Sequence, residues 1–256
     1  DYGSEEEMFA EIQNMRERII LAPDFVREKV IGAILFERTL SEKIDGAPVS
    51  EYLWNSKGIV PFLKIDKGLE DTENGVQLMK PMPGLDEVLK NAASMGVFGT
   101  KERSVIHDAN PTGIKTNVAQ QFELAKQVCA AGLVPIVEPE VSINSSTKAE
   151  AEGMMRDEIM GQLDTLSSDE TVMLKLTIPS QVNFYDGLAD HPRVLRVVAL
   201  SGGYSTDEAC KRLSQNGKMI ASFSRALTEG LQKQMSEAEF AAAIGANINQ
   251  IYAAST

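Results

Sequence analysis

The 256-residue sequence predicts an α/β fold, a (β/α)₈ TIM barrel whose first strand is missing from this chain. Three observations carry that prediction. Short apolar runs alternate with longer amphipathic stretches along the chain, the pattern of parallel strands joined by helices. The length fits the roughly 250 residues usual for such a barrel. An open nucleotide-binding sheet would carry a glycine-rich turn after its first strand, whereas Val30–Phe36 runs into Glu37-Arg38-Thr39-Leu40, with no glycine.

The chain opens on a helix-like segment, Glu5–Leu21, where a barrel would open on a strand. Apolar runs then mark strands at Val30–Phe36, Ile59–Ile65, Gly96–Ile106, Leu133–Val137, Thr171–Thr177, Val194–Leu200 and Met219–Phe223. Helical periodicity marks Leu85–Ser94, Val118–Ala131, Ala149–Leu166, Asp207–Gln215 and Arg225–Met235, with a last helix running on from Ser236. Ser205 with Glu208, and Ser236 with Glu239, each read as a capping box, in which serine and glutamate satisfy each other's orphan backbone donors. Glu37–Gly58 and Asp66–Gly84 are rich in turn residues and read as long loops of one catalytic domain spanning 1–256, since no repeat or low-complexity linker divides the chain. Seven strands are one short of closure and would leave unpaired edges at Val30–Phe36 and Met219–Phe223. The expectation is therefore that a strand and its loop, on the order of the 30 residues of a βα unit, precede Asp1, and that the chain from Asp1 alone folds poorly and lacks bond cleavage.

Thirty-seven acidic against 25 basic residues give a net charge of −12, which argues against nucleic acid and anionic membranes as partners. No apolar run approaches the roughly 20 residues of a membrane span. Asp1 to Glu7 is acidic and polar, unlike a signal or transit peptide. Cys129 and Cys210 stand in no metal-ligand spacing, which excludes a disulfide scaffold and points to a reducing, cytoplasmic compartment. His107 and His191 are too few for most metal sites or for a histidine-based triad and read as surface or capping residues. No metal and no cofactor is expected, and a homo-oligomer is compatible with the sequence. The methionines read as core filler, and Trp54 as a cover for a core edge.

The chemistry is written in charges placed within strands or at their C-terminal ends, the face where barrel enzymes keep their catalytic groups. Residues two apart on a strand share a face, so Lys64 projects with Asp66, Lys101 with Arg103, and Glu138 with Glu140. Glu102 faces away from Lys101 and Arg103, with no evident partner. Lys175 interrupts the apolar run Val172–Leu176, where burial costs an ammonium its charge and lowers its pKa toward nucleophilic values. A lysine head escaping to solvent is the bland alternative. Glu138, Lys101 and Arg103 on neighbouring strands tip the balance to a functional cluster, equipment for Schiff-base chemistry on a carbonyl. Ser201-Gly202-Gly203 after one strand, and Ser222, Ser224 and Arg225 after the next, fall in the loops where this fold recurrently binds phosphate.

These residues resemble the class I fructose-bisphosphate aldolases, in particular their short bacterial branch. The resemblance runs along nearly the whole chain: Val30-Ile31-Gly32-Ala33-Ile34-Leu35-Phe36, Leu63-Lys64-Ile65-Asp66-Lys67-Gly68, the highly specific Val134-Pro135-Ile136-Val137-Glu138-Pro139-Glu140, Leu174-Lys175, Leu200-Ser201-Gly202-Gly203 and Ser224-Arg225-Ala226-Leu227. It implies a lyase of glycolysis and gluconeogenesis that cleaves fructose 1,6-bisphosphate to dihydroxyacetone phosphate and glyceraldehyde 3-phosphate through a lysine imine. It further implies that Lys175 forms the imine, that Glu138 transfers protons, and that Lys101 and Glu140 are its electrostatic neighbours. Arg103 and Lys64 match residues near the distal phosphate; Ser201, Gly202, Ser222, Ser224 and Arg225 match the cradle of the phosphate next to the ketone. Three departures stand out. The family's first strand carries an aspartate that takes the C4 hydroxyl proton and is followed by a serine-bearing loop, and this chain has neither. Phe223 and Ser224 replace a Tyr-Gly pair of the animal branch, and the animal enzymes' mobile C-terminal tyrosine has a loose counterpart in Tyr252. The competing readings are a catalytically silent sugar-phosphate-binding scaffold and another Schiff-base lyase of transaldolase type. The metal-dependent aldolases are disfavoured, because their zinc needs several histidines.

Overall fold

The computed structural model describes residues 4–255. Helix α1 (Glu5–Leu21) leads into seven strands that pair in parallel and in chain order: β1 (Gly32–Leu35), β2 (Val60–Lys64), β3 (Gly99–Ile106), β4 (Val134–Val141), β5 (Val172–Thr177), β6 (Val194–Leu200) and β7 (Met219–Ala221). Between and after them stand α2 (Leu85–Ser94), α3 (Pro111–Ala130), α4 (Lys148–Leu163), α5 (Thr206–Leu213) and α6 (Glu237–Ala253). This curled parallel sheet under a layer of helices is the α/β-barrel architecture. Among the described residues β1 and β7 do not pair, so the sheet stays open between them.

Alternation along the strands divides barrel lumen from helix-facing surface. Val137, Leu174, Leu176, Val197 and Ala199 turn outward and pack with Ile114, Val118 and Phe122 of α3 and Met155 and Ile159 of α4. A second cluster joins Leu63 and Ile65 to Leu85 and Leu89 of α2 and to Phe240, Ile244 and Ile248 of α6. The inner side carries the charges: Lys64 is in register with Lys101, and Arg103 with Glu138.

Several boundaries differ from the sequence-based expectation. Strand β4 runs on to Val141 through both of its prolines instead of ending at Val137. The flanking bonds explain why: Val134 N–H donates to Phe98 O at 3.1 Å and Ser142 N–H to Ile106 O at 2.8 Å, so even-numbered residues donate toward β3. Pro135 and Pro139 then face β5, whose register with β4 covers only Ile136↔Met173 and Val137↔Leu174, and no β3–β4 bond is lost. Helix α3 starts at Pro111, ahead of the expected Val118, because the Asn110 side chain caps Gly113 N–H at 2.9 Å and Pro111 suits the first turn. The expected helix at Arg225–Met235 is a run of turns. Gly230 sits at φ +79, Asn247 of α6 donates to Leu227 O and Glu229 O at 2.9 Å each, and the Glu229 carboxylate accepts from Thr206 N–H at 2.9 Å. Local helical bonds there lose to ties with α5 and α6. The box at Ser236–Glu239 is complete, whereas Ser205 accepts from Glu208 N–H and the Glu208 carboxylate goes to Arg212 instead.

The two long loops are built pieces: a short helix at Glu37–Leu40, a hairpin of Lys43–Ile44 with Ala47–Pro48, helical turns from Val49 to Lys57, and Val76–Gln77 pairing antiparallel to β3. Trp54, expected to cover a core edge, is 58% exposed. Met79, Met155 and Met219 lie in the core. His107 Nε2 lies 2.8 Å from Gln77 Oε1, and His191 Nε2 lies 3.2 Å from Asp164 Oδ1. No helix among the described residues is long and apolar enough to cross a membrane.

Candidate active site

The inward-facing charges of β2 to β5 converge into one buried chain. Lys175 Nζ lies 3.1 Å from Glu138 Oε1, and Lys101 Nζ lies 2.8 Å from Glu138 Oε2, so one carboxylate is shared by two ammoniums from the strands on either side. Each of the three side chains is less than a tenth exposed. A buried ion pair forms at a net desolvation cost unless its partners are well placed, and a lysine–glutamate–lysine arrangement in a barrel lumen is not what packing alone selects. Lys101 continues the chain to Asp66 Oδ2 at 3.5 Å, and Asp66 Oδ1 accepts from Lys64 at 2.7 Å. Arg103 turns to Glu140 on the neighbouring strand. Same-face pairs within a strand thus find their partners across strands: Lys101 takes Glu138, and Arg103 takes Glu140.

The two lysines on Glu138 are held in opposite electrostatic states. Burial is the largest influence on Lys175 and, with the nearby Lys101 charge, lowers its pKa against the upward pull of Glu138. Burial also presses on Lys101, yet Glu138 and Asp66 together outweigh it and raise its pKa above the ordinary lysine value. One amine is pushed toward the neutral, nucleophilic form and its neighbour is kept cationic. That separation is the condition for carbonyl addition beside a fixed positive charge.

Glu102, which had no evident partner in the sequence, points outward from β3 and is fully buried. Its Oε2 accepts from Thr100 Oγ1 at 3.1 Å, and burial pushes its carboxyl pKa up to about 8. Behind it, Gln121 of α3 donates to Glu102 O at 3.2 Å and to Ser104 Oγ at 2.8 Å.

The second group of candidates lies past β6 and β7. Gly202 and Gly203 have φ of +63 and +108, a region that favours glycine. A Cβ on Gly202 would also come within 2.6 Å of Ile143 Cγ2, and one on Gly203 would meet both terminal nitrogens of Arg225 at 3.8 Å. The Arg225 guanidinium therefore lies over bare backbone and, among the described residues, carries no ion pair. Ser201 is buried, Ser222 donates its N–H to Ala199 O at 2.7 Å, and Ser224 and Arg225 are exposed. A glycine-lined turn beside a guanidinium with no ion pair among the described residues has the chemistry to receive an anion. A separate cleft of about 450 Å³ opens at the Lys64–Asp66 end, lined also by Phe9, Arg16, Phe36 and Lys67.

Asp66 was recognised in the sequence only as the face-mate of Lys64. Its position just past a strand, flanked by two lysines in Lys64-Ile65-Asp66-Lys67, was the available signal. No cluster of three or more metal-ligating side chains occurs among the described residues.

Comparison with known proteins converges on one family. Residues 5–184 match the family described as fructose-bisphosphate aldolase class-I. A relative from Synechocystis, named fructose-bisphosphate aldolase class 1, is 52% identical over 254 residues, covering 99% of this chain and 85% of its own length. A relative of the same name from Porphyromonas gingivalis is 54% identical, with 99% of this chain and 86% of its own length covered. In three dimensions, the fructose-bisphosphate aldolase of Plasmodium falciparum, solved with TRAP and a small-molecule inhibitor, superposes with a TM-score of 0.75 at 21% identity. The match covers 99% of this chain and 88% of that one.

Proposed function

Because this chain belongs to the class I fructose-bisphosphate aldolase family and shares its activity, reversible cleavage of fructose 1,6-bisphosphate through a lysine Schiff base, we propose that Lys175 is the imine-forming lysine and Glu138 its proton shuttle. The observation that carries this reading is the Glu138 carboxylate lying between Lys175 and Lys101 at 3.1 and 2.8 Å.

The chemistry follows from that placement. Neutral Lys175 adds to the C2 carbonyl of the ketose, giving a carbinolamine. Glu138, one hydrogen bond from that nitrogen, protonates the departing hydroxyl, so that water leaves and a protonated imine remains. The iminium is the electron sink that allows the C3–C4 bond to break as a base takes the C4 hydroxyl proton, the task of the first-strand aspartate in the family, releasing glyceraldehyde 3-phosphate and leaving an enamine. Protonation at C3 and hydrolysis of the imine return dihydroxyacetone phosphate and the free lysine. Lys101 stays cationic throughout and holds Glu138 in place. In this reading Glu140 and Arg103 form the next layer of charge, and Arg103 and Lys64 serve the distal phosphate. Ser201, Gly202, Ser222, Ser224 and Arg225 cradle the phosphate beside the ketone. The whole chain acts as one barrel domain, and we place it in the cytoplasm, on the strength of two free cysteines.

Borohydride reduction in the presence of dihydroxyacetone phosphate tests the assignment. Peptide mass mapping is expected to find the reduced adduct on Lys175, and an adduct on any other lysine would overturn it. Arg225→Ala should act on binding, raising KM for fructose 1,6-bisphosphate by about 10-fold or more while kcat changes little, the scale of one charge-assisted hydrogen bond. Steady-state kinetics checks this, and a loss confined to kcat would remove Arg225 from the cradle.

A further inference from the structure

Asp66 has so far been given no task. Its side chain is 6% exposed and its two oxygens serve different masters. Oδ1 accepts from Lys64 Nζ at 2.7 Å, and the same ammonium donates to Asp66 O at 3.1 Å. Oδ2 faces Lys101 Nζ at 3.5 Å and accepts from the backbone N–H of Arg103 at 3.3 Å. One buried carboxylate is thus divided between the lysine read as a distal-phosphate ligand and the lysine that holds Glu138.

The other charges nearby are committed elsewhere. Lys67 pairs with Glu37 at 2.7 Å, Arg16 donates to Thr39 Oγ1 at 2.9 Å, and Arg38 stacks on Phe9. Arg103 pairs with Glu140, Glu102 faces away, and Lys175 reaches this group only through Glu138. The two ligands of Asp66 also differ in freedom: Lys64 is 26% exposed and borders the open cleft, whereas Lys101 is 7% exposed and cannot leave.

We propose that Asp66 is a positioning residue that couples the two ends of the site: a phosphate on Lys64 draws that ammonium away from Oδ1 and leaves Asp66 wholly to Lys101, which is then held against Glu138. The proposal rests on the reading of Lys64, Lys101 and Glu138 given above. Electrostatics sets its direction. A buried ammonium keeps its proton only while carboxylates face it, and Lys101 has two, Glu138 and Asp66. While Lys64 shares Asp66, Lys101 receives part of that charge; once phosphate takes Lys64, it receives all of it. Lys101 should therefore stay protonated to higher pH with a bisphosphate bound than with a monophosphate.

Unmodified enzyme tests this first. The pH profile of kcat is measured with fructose 1,6-bisphosphate and with fructose 1-phosphate, which lacks the distal phosphate. The alkaline limb is expected at lower pH for the monophosphate, and coincident limbs would overturn the proposal. Asp66→Asn is then expected to lower kcat for the bisphosphate by about 10-fold, with KM within about threefold, and to move the alkaline limb down by about one pH unit. Imine trapping with dihydroxyacetone phosphate, in which Lys101 has only a share of Asp66 to lose, should fall by clearly less than cleavage of the bisphosphate. Asp66→Glu keeps the charge and should leave the limb in place. Equal losses in cleavage and trapping, or a limb unmoved by Asp66→Asn, would sink the idea. Failure of the site reading itself looks different: the unmodified enzyme would not trap substrate on Lys175.

Discussion

Lys175→Met is expected to abolish cleavage of fructose 1,6-bisphosphate, with a loss of roughly 10⁴-fold or more, the scale of removing a covalent nucleophile. At about 1.36 kcal/mol per decade this is on the order of 5 kcal/mol of barrier, far beyond what a lost hydrogen bond supplies. The protein should nevertheless fold. Removing one member of a buried ion pair usually strands the other, at a cost of about 3–5 kcal/mol. Here Glu138 keeps its 2.8 Å partner Lys101, so no carboxylate is orphaned. Lys175→Arg separates charge from nucleophilicity. A guanidinium preserves the positive charge beside Glu138 but has no neutral amine to offer near pH 7. Both variants should show native circular dichroism and neither should give a borohydride adduct with dihydroxyacetone phosphate. Substantial turnover by Lys175→Arg would mean that the residue supplies charge and not the imine.

Much of this arrangement is legible in the sequence, because strand periodicity is a strong constraint. A lysine inside Val172–Leu176 and a glutamate pair at the C-terminal end of Leu133–Val137 are poorly explained by core packing, and period two puts Glu138 and Glu140 on one face. What periodicity cannot supply is the cross-strand register. That Arg103 lies opposite Glu138 yet pairs with Glu140, and that Asp66 reaches Lys101 as well as Lys64, depends on the stagger between strands and on side-chain length. The expected strand ended at Val137, ahead of Pro139, whereas the side on which the missing N–H of Pro135 and Pro139 falls makes both prolines harmless. The Arg225–Met235 stretch has helical composition, but its fate was decided by Asn247 and by Thr206, partners distant in sequence. Glu102 was correctly turned away from its neighbours by alternation, while its burial against α3 depended on tertiary packing.

Glu138→Gln isolates proton transfer from everything else in the site. The amide keeps the size of the side chain and leaves Arg225, Ser201 and the glycine turn untouched, so KM should change little. Two charge effects follow from removing the carboxylate. Glu138 holds the Lys175 pKa up against burial, so its loss lets that pKa fall further, and the acid limb of the pH profile should move to lower pH. More neutral amine is then present at any pH on that limb, and nucleophilic addition is not the step that suffers. Loss of water from the carbinolamine is that step, since it needs a proton delivered where Glu138 Oε1 stands, 3.1 Å from the lysine nitrogen. The expected result is a fall in kcat of about 10²–10⁴, the usual share of a positioned acid–base group. Single-turnover trapping should show the imine forming slowly with dihydroxyacetone phosphate, even at a pH where Lys175 is neutral. Lys101 provides the internal control, because it too loses its nearest carboxylate and keeps only Asp66. If its charge were all that mattered, Lys101→Met would match Glu138→Gln in both size and pH dependence. A near-normal kcat in Glu138→Gln would instead pass the shuttle to another carboxylate. Glu140 is the nearest candidate by sequence, yet it is already engaged by Arg103 and would have to break that pair to reach the reacting nitrogen.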